Sequence, residues 1–282
     1  MVKKRWAAVI IALLLILLVL WIFWANKALE VTEYELKNEK IPDSFSGFRI
    51  AQISDLHNDT FGENNSKLLD LLRNTEPDII VITGDLVDSR RTDYSVGLDF
   101  AQRALEIAPV YYVAGNHESR LAEHDTFQQD LKTAGITVLD NRKVILTRND
   151  QTISLLGVYD PHFFDDWEPG NENQIIYMAV SQIQDPSDGY TVLLSHRPDL
   201  LDAYEKAGVD LVFSGHAHGG QFRIPIIGGL YGPDEGWFPK FDAGRLEKGN
   251  TTLIISRGLG ASVIPLRFNN RPEIVVATLR HG

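Results

Sequence analysis

The 282-residue chain contains no cysteine. That excludes a disulfide scaffold, a thiolate zinc site, an iron–sulfur cluster and a cysteine nucleophile. Basic residues are in the minority: 27 Lys and Arg stand against 38 Asp and Glu, a net charge of −11. A bulk nucleic-acid binder needs a basic face, so no nucleic-acid partner is expected. There is no G-x-S-x-G elbow, no P-loop and no G-x-G-x-x-G fingerprint, which disfavours a serine hydrolase and the common nucleotide-binding folds. What remains, 44% apolar and 23% charged residues, is the composition of an ordinary globular chain.

The N-terminus carries the first specific signal. Lys3, Lys4 and Arg5 precede an unbroken apolar run of 20 residues, from Trp6 to Ala25. As a helix this run is about 30 Å long, the thickness of a bilayer core. Trp6 near one end, and Trp21 and Trp24 near the other, have the placement of interfacial anchors. A cleaved signal peptide would have a shorter apolar region and a small-residue cleavage site, and Ala25-Asn26-Lys27-Ala28 is a poor one. A buried core helix of such uniformity is disfavoured too. Residues 1–25 are therefore expected to be a signal anchor, with the basic end cytoplasmic and the rest extracytoplasmic. Beyond the anchor 24 basic residues face 38 acidic ones, so net charge will not hold the domain on anionic lipid.

Residues 26–47 are expected to form a tether and a first strand over 31–36, and residues 48–282 one large domain. Short Val- and Ile-rich runs at 48–54, 79–83, 110–114, 153–158, 191–195, 211–214, 252–256 and 274–279 are expected to be buried strands. Helices are expected at 66–74, 93–108, 127–134 and 199–207, the last opened by Pro198 and closed by Gly208. The pattern predicts a mixed α/β chain in which a purely parallel sheet is not secure.

The informative residues lie at the carboxyl ends of five of these strands. The strands run into Asp55-Leu56-His57, Gly84-Asp85-Leu86-Val87-Asp88, Gly115-Asn116-His117-Glu118, His196, and Gly215-His216-Ala217-His218. Ligands bind at that edge in open α/β sheets. Five of the eight histidines lie there. Any one of them alone would be read as structural. Burying so many ionisable groups without a partner would cost several kcal/mol each, and a bound cation removes that cost.

The set comprises two carboxylates (Asp55, Asp85), one amide (Asn116) and four imidazoles (His57, His196, His216, His218). This oxygen and nitrogen mixture suits Mn, Fe, Zn or Co. Seven ligands are too many for one tetrahedral ion and sensible for two, with one carboxylate bridging. Two divalent ions, two carboxylates and a bridging hydroxide leave a charge near +1, which favours an anionic phosphate. Paired metals clamp the attacking and leaving oxygens of an in-line displacement and lower the pKa of bound water. His117 is the candidate general acid, with Asp88 placed to orient it; the alternative is that His117 hydrogen-bonds a metal ligand.

In this order, the blocks resemble the calcineurin-like metallophosphoesterase superfamily across nearly all of residues 46–282. Ser54-Asp55-Leu56-His57, Ser195-His196-Arg197-Pro198-Asp199, His218-Gly219-Gly220-Gln221 and Ser256-Arg257-Gly258-Leu259-Gly260 resemble its membrane-tethered bacterial branch, some of whose members hydrolyse UDP-2,3-diacylglucosamine. The resemblance implies a four-layer α/β/β/α sandwich. It implies one metal on Asp55, His57, Asp85 and His218 and another on Asp85, Asn116, His196 and His216, with manganese favoured. It makes His117 the acid and Asp88 its support. Ala217 departs from the usual Thr, at a position whose side chain is not a ligand.

The reading is a phosphoesterase acting outside the cytoplasm on a phosphorylated small molecule or lipid-linked substrate; the competing one is a non-catalytic, envelope-tethered metal-binding or interaction module. Arg197, Arg257 and Arg267 are expected in salt bridges, with phosphate contact as the alternative. Asp160 and His162 either line the pocket or belong to a loop turn, and His124 and His281 are expected in solvent. Residues 221–244 are long and irregular, with Phe222, Tyr231, Trp237, Phe238 and Phe241; packing onto the domain edge competes there with a lipid-facing role.

Overall fold

The Val- and Ile-rich runs become the strands of two facing sheets. The computed structural model describes residues 2–185, 187–261 and 266–282. In chain order the elements are α1 (Val2–Ala25), β1 (Glu30–Asn38), β2 (Arg49–Ile53), α2 (Ser66–Asn74), β3 (Ile79–Thr83), α3 (Ser95–Ala104), β4 (Val110–Val113), α4 (His124–Ala134), β5 (Thr137–Val138), β6 (Arg142–Arg148) and β7 (Gln151–Gly157). Then come α5 (Glu172–Ile183), β8 (Thr191–Leu194), α6 (Leu201–Ala207), β9 (Leu211–Ser214), β10 (Arg223–Ile224), β11 (Gly228–Gly229), β12 (Tyr231–Gly232), β13 (Gly236–Trp237), β14 (Gly244–Lys248), β15 (Thr251–Ile255) and β16 (Glu273–His281).

The first sheet has the order β1-β16-β2-β3-β4-β5 and the second β14-β15-β9-β8-β7-β6. Both are mixed. β16 runs antiparallel to β2, and β6 and β14 run antiparallel to their neighbours, while the central strands are parallel. The strand expected at 31–36 is longer and pairs with β16 from Glu30 to Asn38, so the sheet begins before residue 48.

Alternation along each strand explains the layers. In β3, Ile79 and Val81 face the other sheet, where they meet Val192, Leu194, Phe213 and Ile254. Ile80 and Ile82 face the opposite way, onto Leu68 and Leu72 of α2, Phe100 of α3 and Phe127 and Leu131 of α4. Leu156, Leu193 and Val212 of the second sheet are covered by Ile176 and Val180 of α5 and Tyr204 of α6. The result is helix, sheet, sheet, helix. Truncating a filler of the central layer such as Phe213, fully buried, would cost about 3–5 kcal/mol.

The strands β5, β6 and β14 and the helix α5 fall outside the segments expected from the sequence. β6 and β14 are the outer strands of the second sheet, and β6 has a half-exposed pattern with only three apolar residues in a row. α5 buries Ile175, Ile176, Ala179 and Val180 at helical spacing. Residues 221–244 hold two short ribbons, β10 with β11 and β12 with β13. α1 projects from this body. Its side chains from Val9 to Trp21 are exposed, and Lys4–Ala25 is long and apolar enough to cross a membrane.

Candidate metal centre

The candidate ligands sit where the chain turns off the edges of both sheets. Asp55 and His57 follow β2, Asp85 follows β3, and Asn116 and His117 follow β4; His196 follows β8, and His216 and His218 follow β9. Asp55, His57, Asp85, His216 and His218 all have left-handed backbones, with φ of 53°, 50°, 51°, 65° and 49°. Such conformations cost roughly 1–3 kcal/mol each and collect at functional sites. The loops are laced together: the Asp55 N–H donates to the Gly84 carbonyl at 3.1 Å and the His57 N–H to that of Asp85 at 3.0 Å. Two glycines permit the approach of the sheets. A β-carbon at Gly115 would collide with the Asp85 carboxylate, and one at Gly215 with the side chains of Ser54 and Asp55.

All seven expected ligands come together, and all are buried. Ligand atoms of Asp55, His57, Asp85 and His218 lie within 4.8 Å of one another, as do those of Asp85, His196 and His216. Asp85 belongs to both groups. Its Oδ2 is 3.6 Å from His57 Nε2 and 3.3 Å from His196 Nε2. On one side His218 Nε2 is 3.0 Å from His57 Nε2 and 3.4 Å from Asp55 Oδ1. On the other, His196 Nε2 is 3.1 Å from Asn116 Oδ1 and 3.2 Å from His216 Nδ1.

The outer nitrogens of two rings are already committed. His196 Nδ1–H donates to the Thr83 carbonyl at 2.8 Å, and His216 Nε2–H donates to Asp234 Oδ2 at 2.9 Å. In the neutral form of each ring this turns the lone pair of the inner nitrogen toward the cluster, the arrangement metal-binding imidazoles use. Among the described residues, no lysine or arginine pairs with Asp55 or Asp85. The donor set therefore fits divalent cations.

Burial would raise Asp85, but the neighbouring His196 outweighs it and holds the carboxyl well below its usual range. Burial would likewise lower His196, and Asp85 overcomes it, drawing the ring up to about 10. Burial raises Asp55 to about 6 and lowers His57 to about 3.

His117 stands beside the cluster, its Nε2 4.0 Å from Asp85 Oδ2. Its Nδ1 accepts from the Ser89 N–H at 3.1 Å, so in the neutral ring the proton sits on Nε2, on the side of the cluster. Asp88 Oδ1 is 3.4 Å from the same Nδ1, but Asp88 is mainly held by Arg90, whose Nε and Nη2 reach its two oxygens at 3.0 and 2.9 Å. Ser89 is thus a partner that spacing did not reveal. Glu118 is another. Fully buried, it accepts from the N–H groups of Asp85, Val87 and Gly115 at 2.9, 3.0 and 2.9 Å, tying two ligand loops together. The sequence signalled it only by its place after His117.

A cavity of about 170 Å³ opens onto Asp85, Asn116 and His117, with Arg120, His162 and Asp234 on its walls. Arg197 donates through Nε to Asp160 at 2.7 Å and through Nη1 to Asp234 at 2.5 Å. Arg257 pairs with Glu30 and Glu273. Arg267 is buried without an acidic partner among the described residues and donates to the carbonyls of Arg257 and Gly260. His162 accompanies Asp160 at 2.7 Å. His124 is only partly exposed, and His281 is bonded to the Ile41 carbonyl. Asp234 was not singled out from the sequence; its sole signal was the turn Pro233-Asp234-Glu235-Gly236 within an aromatic-rich stretch.

A four-layer sandwich with Asp, Asn and His at facing strand ends defines a metal-dependent phosphoesterase. Residues 48–220 match the calcineurin-like phosphoesterase family, and the chain belongs to it. It is 31% identical over 258 residues to YkuE of Bacillus subtilis (strain 168), named an uncharacterized metallophosphoesterase, covering 89% of this chain and 86% of that one. It is 29% identical over 242 residues to the phosphodiesterase YaeI of Escherichia coli (strain K12), covering 84% of each. It is 27% identical over 262 residues to a Danio rerio transmembrane protein with metallophosphoesterase domain, covering 90% of this chain and 58% of that one. Among solved structures, TT1561 of Thermus thermophilus shares the fold, with a TM-score of 0.50 and 14% identity over 75% of this chain and 90% of that one. The protein is thus a phosphoesterase, a hydrolase of a family that works with divalent metal ions.

Proposed function

We propose that the protein uses two divalent ions to hydrolyse a phosphoester or pyrophosphate bond. Asp55, His57, Asp85 and His218 would hold one ion, and Asp85, Asn116, His196 and His216 the other. The observation that carries this reading is Asp85 Oδ2, which has an imidazole nitrogen from each group within 3.6 Å. The ions would supply charge to bind phosphate and would activate water for attack. Nitrogen and oxygen donors suit Mn, Fe, Zn or Co, with Mn the first to try.

The chain's own residues supply the rest. His117 donates the Nε2 proton to the leaving oxygen, its ring fixed by the Ser89 N–H. Asp88 holds Arg90 and Arg91 beside that ring. Glu118 fixes the Asp85 and Asn116 loops. Arg120, at the rim of the cavity, adds positive charge for an anionic substrate.

In this reading α1 crosses the membrane with its basic N-terminal end inside, and the phosphoesterase domain, residues 48–282 with β1, faces outward. A catalytic domain held at a bilayer favours a lipid-linked or cell-envelope phosphoester, such as UDP-2,3-diacylglucosamine. Because a relative is named a phosphodiesterase, diesters come first among reactions. The test is the full chain in detergent, loaded with each of the four metals, against bis-p-nitrophenyl phosphate, p-nitrophenyl phosphate and UDP-2,3-diacylglucosamine. Turnover of the diester ahead of the monoester is expected. No turnover with any metal would replace this reading by the non-catalytic module.

A further inference from the structure

Outside α1, eight large apolar side chains are exposed among the described residues, and six of them lie between Ile224 and Phe238. Ile145 and Met178 stand elsewhere, on β6 and α5. Single exposed hydrophobes need no explanation, but a cluster on one element marks an interaction surface.

The cluster sits on the two ribbons. Ile226 is fully exposed, Ile227 is 63% exposed, Trp237 68% and Phe238 60%. The ribbons are joined: the Leu230 N–H donates to the Phe222 carbonyl at 2.8 Å and the Phe238 N–H to that of Leu230 at 2.9 Å. Ile226 and Phe238 also have left-handed backbones, with φ of 74° and 57°. A turn gives such positions to Gly or Asn. A β-branched residue there is a genuine outlier, and its side chain gains no burial in return. The apolar group is kept at a conformational cost that the fold does not repay.

The ribbons begin where α1 ends. Asn26 and Arg267 exchange hydrogen bonds, the Asn26 side chain donating at 2.9 Å and the Arg267 N–H at 2.7 Å. The Arg271 guanidinium lies 5.5 Å from the Trp24 ring centre. Trp21 meets Phe268 edge-on, 5.6 Å between ring centres, and Phe268 bridges to Phe222, its carbonyl accepting from the Arg223 N–H at 2.9 Å. The last turns of α1 and the first ribbon therefore share Phe268. A bilayer that encloses α1 up to its last turns lies against the neighbouring ribbon.

We propose that the paired ribbons, through Ile226, Ile227, Trp237 and Phe238, dock into the leaflet that α1 leaves. This rests on the reading of α1 as a membrane span. Tryptophan at the interface with aliphatic groups beside it is the composition of a shallow insertion. Apolar burial drives it, since the acidic domain gains nothing from anionic lipid. The same β12–β13 turn carries Asp234, the acceptor of His216 Nε2–H, so one short backbone segment joins the docked surface to the metal centre.

The absence of cysteine makes the test direct. Full-length L14C, I226C, F238C and I145C, each with a single environment-sensitive fluorophore, are reconstituted into phosphatidylethanolamine–phosphatidylglycerol vesicles. A nitroxide-bearing lipid is expected to quench labels at 14, 226 and 238, whereas aqueous iodide reaches 145 several-fold better than these. Labels at 226 and 238 open to iodide and untouched by the nitroxide overturn the docking surface, whatever residue 14 shows. Labels shielded from both quenchers also overturn it, in favour of a protein partner or a second copy. Loss of quenching at 14 alone overturns the membrane span, and the leaflet assigned to the ribbons falls with it.

Discussion

The Nε2 atoms of His57 and His218 face each other 3.0 Å apart in the protein interior. Burial pushes the pKa of both rings down, so two neutral imidazoles point lone pairs or a single shared proton into one small space beside the Asp55 and Asp85 carboxylates. A cation is the group that satisfies all four at once.

Asp85 belongs to both ligand groups, so its replacement should remove more than one ligand's worth of binding. Asp85→Asn is expected to lower bound Mn from two ions per chain to fewer than one and to abolish turnover in parallel. Elemental analysis after desalting reads the metal. Retention of both ions would overturn the shared role.

His117 falls outside the groups that include His196 or His218, and its ligand atom gathers instead with those of His57 and Asp88. His117→Ala should keep the metal and slow turnover roughly 10²–10⁴-fold. The loss should shrink for substrates with good leaving groups, which need no proton. An emptied metal site in this variant would make His117 a ligand or a structural prop instead.

Asp234 fixes His216 from outside the cluster. Asp234→Ala frees the ring and should weaken the affinity of the ion on the His196 and His216 side by about 10–100-fold, read by metal titration, while the other ion is unaffected. Equal weakening of both ions would count against this placement.

Asp140 is buried, accepts from the Ala114 N–H at 2.9 Å, and burial raises its carboxyl to about 7. Its proton is therefore bound more tightly in the folded than in the unfolded chain. The stability it contributes is complete below the ordinary value near 4 and is lost as pH rises through about 7, by up to about 4 kcal/mol. Asp140→Asn should flatten the pH dependence of thermal unfolding between about pH 4 and 7. An unchanged slope would show that Asp140 ionises normally.

Much of the scaffold was legible because its strands are buried on both faces. Continuous Val and Ile runs such as Ile79–Thr83 need no partner to be recognised. β6 was not legible, because an outer strand buries only part of one face. α5 escaped notice although Ile175, Ile176, Ala179 and Val180 repeat at helical spacing, since Tyr177 and Met178 fill the gap with apolar side chains that stay partly or wholly outside. At the site, residue type and position after a strand picked out all seven clustered side chains. Ser89, Glu118 and Asp234 act through a backbone N–H, a set of loop amides and an imidazole reached from far along the chain, and no local pattern marks such contacts.

The sequence alone determined the chemistry on offer: nitrogen and oxygen ligands without sulfur, an apolar span preceded by basic residues, and polar residues placed after buried strands. These are properties of residue type and spacing, and they survive in an unfolded chain. Only the tertiary structure decided that Asp85 would stand between two groups of ligands, that Ser89 would set the His117 proton, and that Ile226 and Trp237 would emerge beside the end of α1. Each of those relations joins segments tens to hundreds of residues apart, and it exists only once the packing of two sheets has fixed the distance between them.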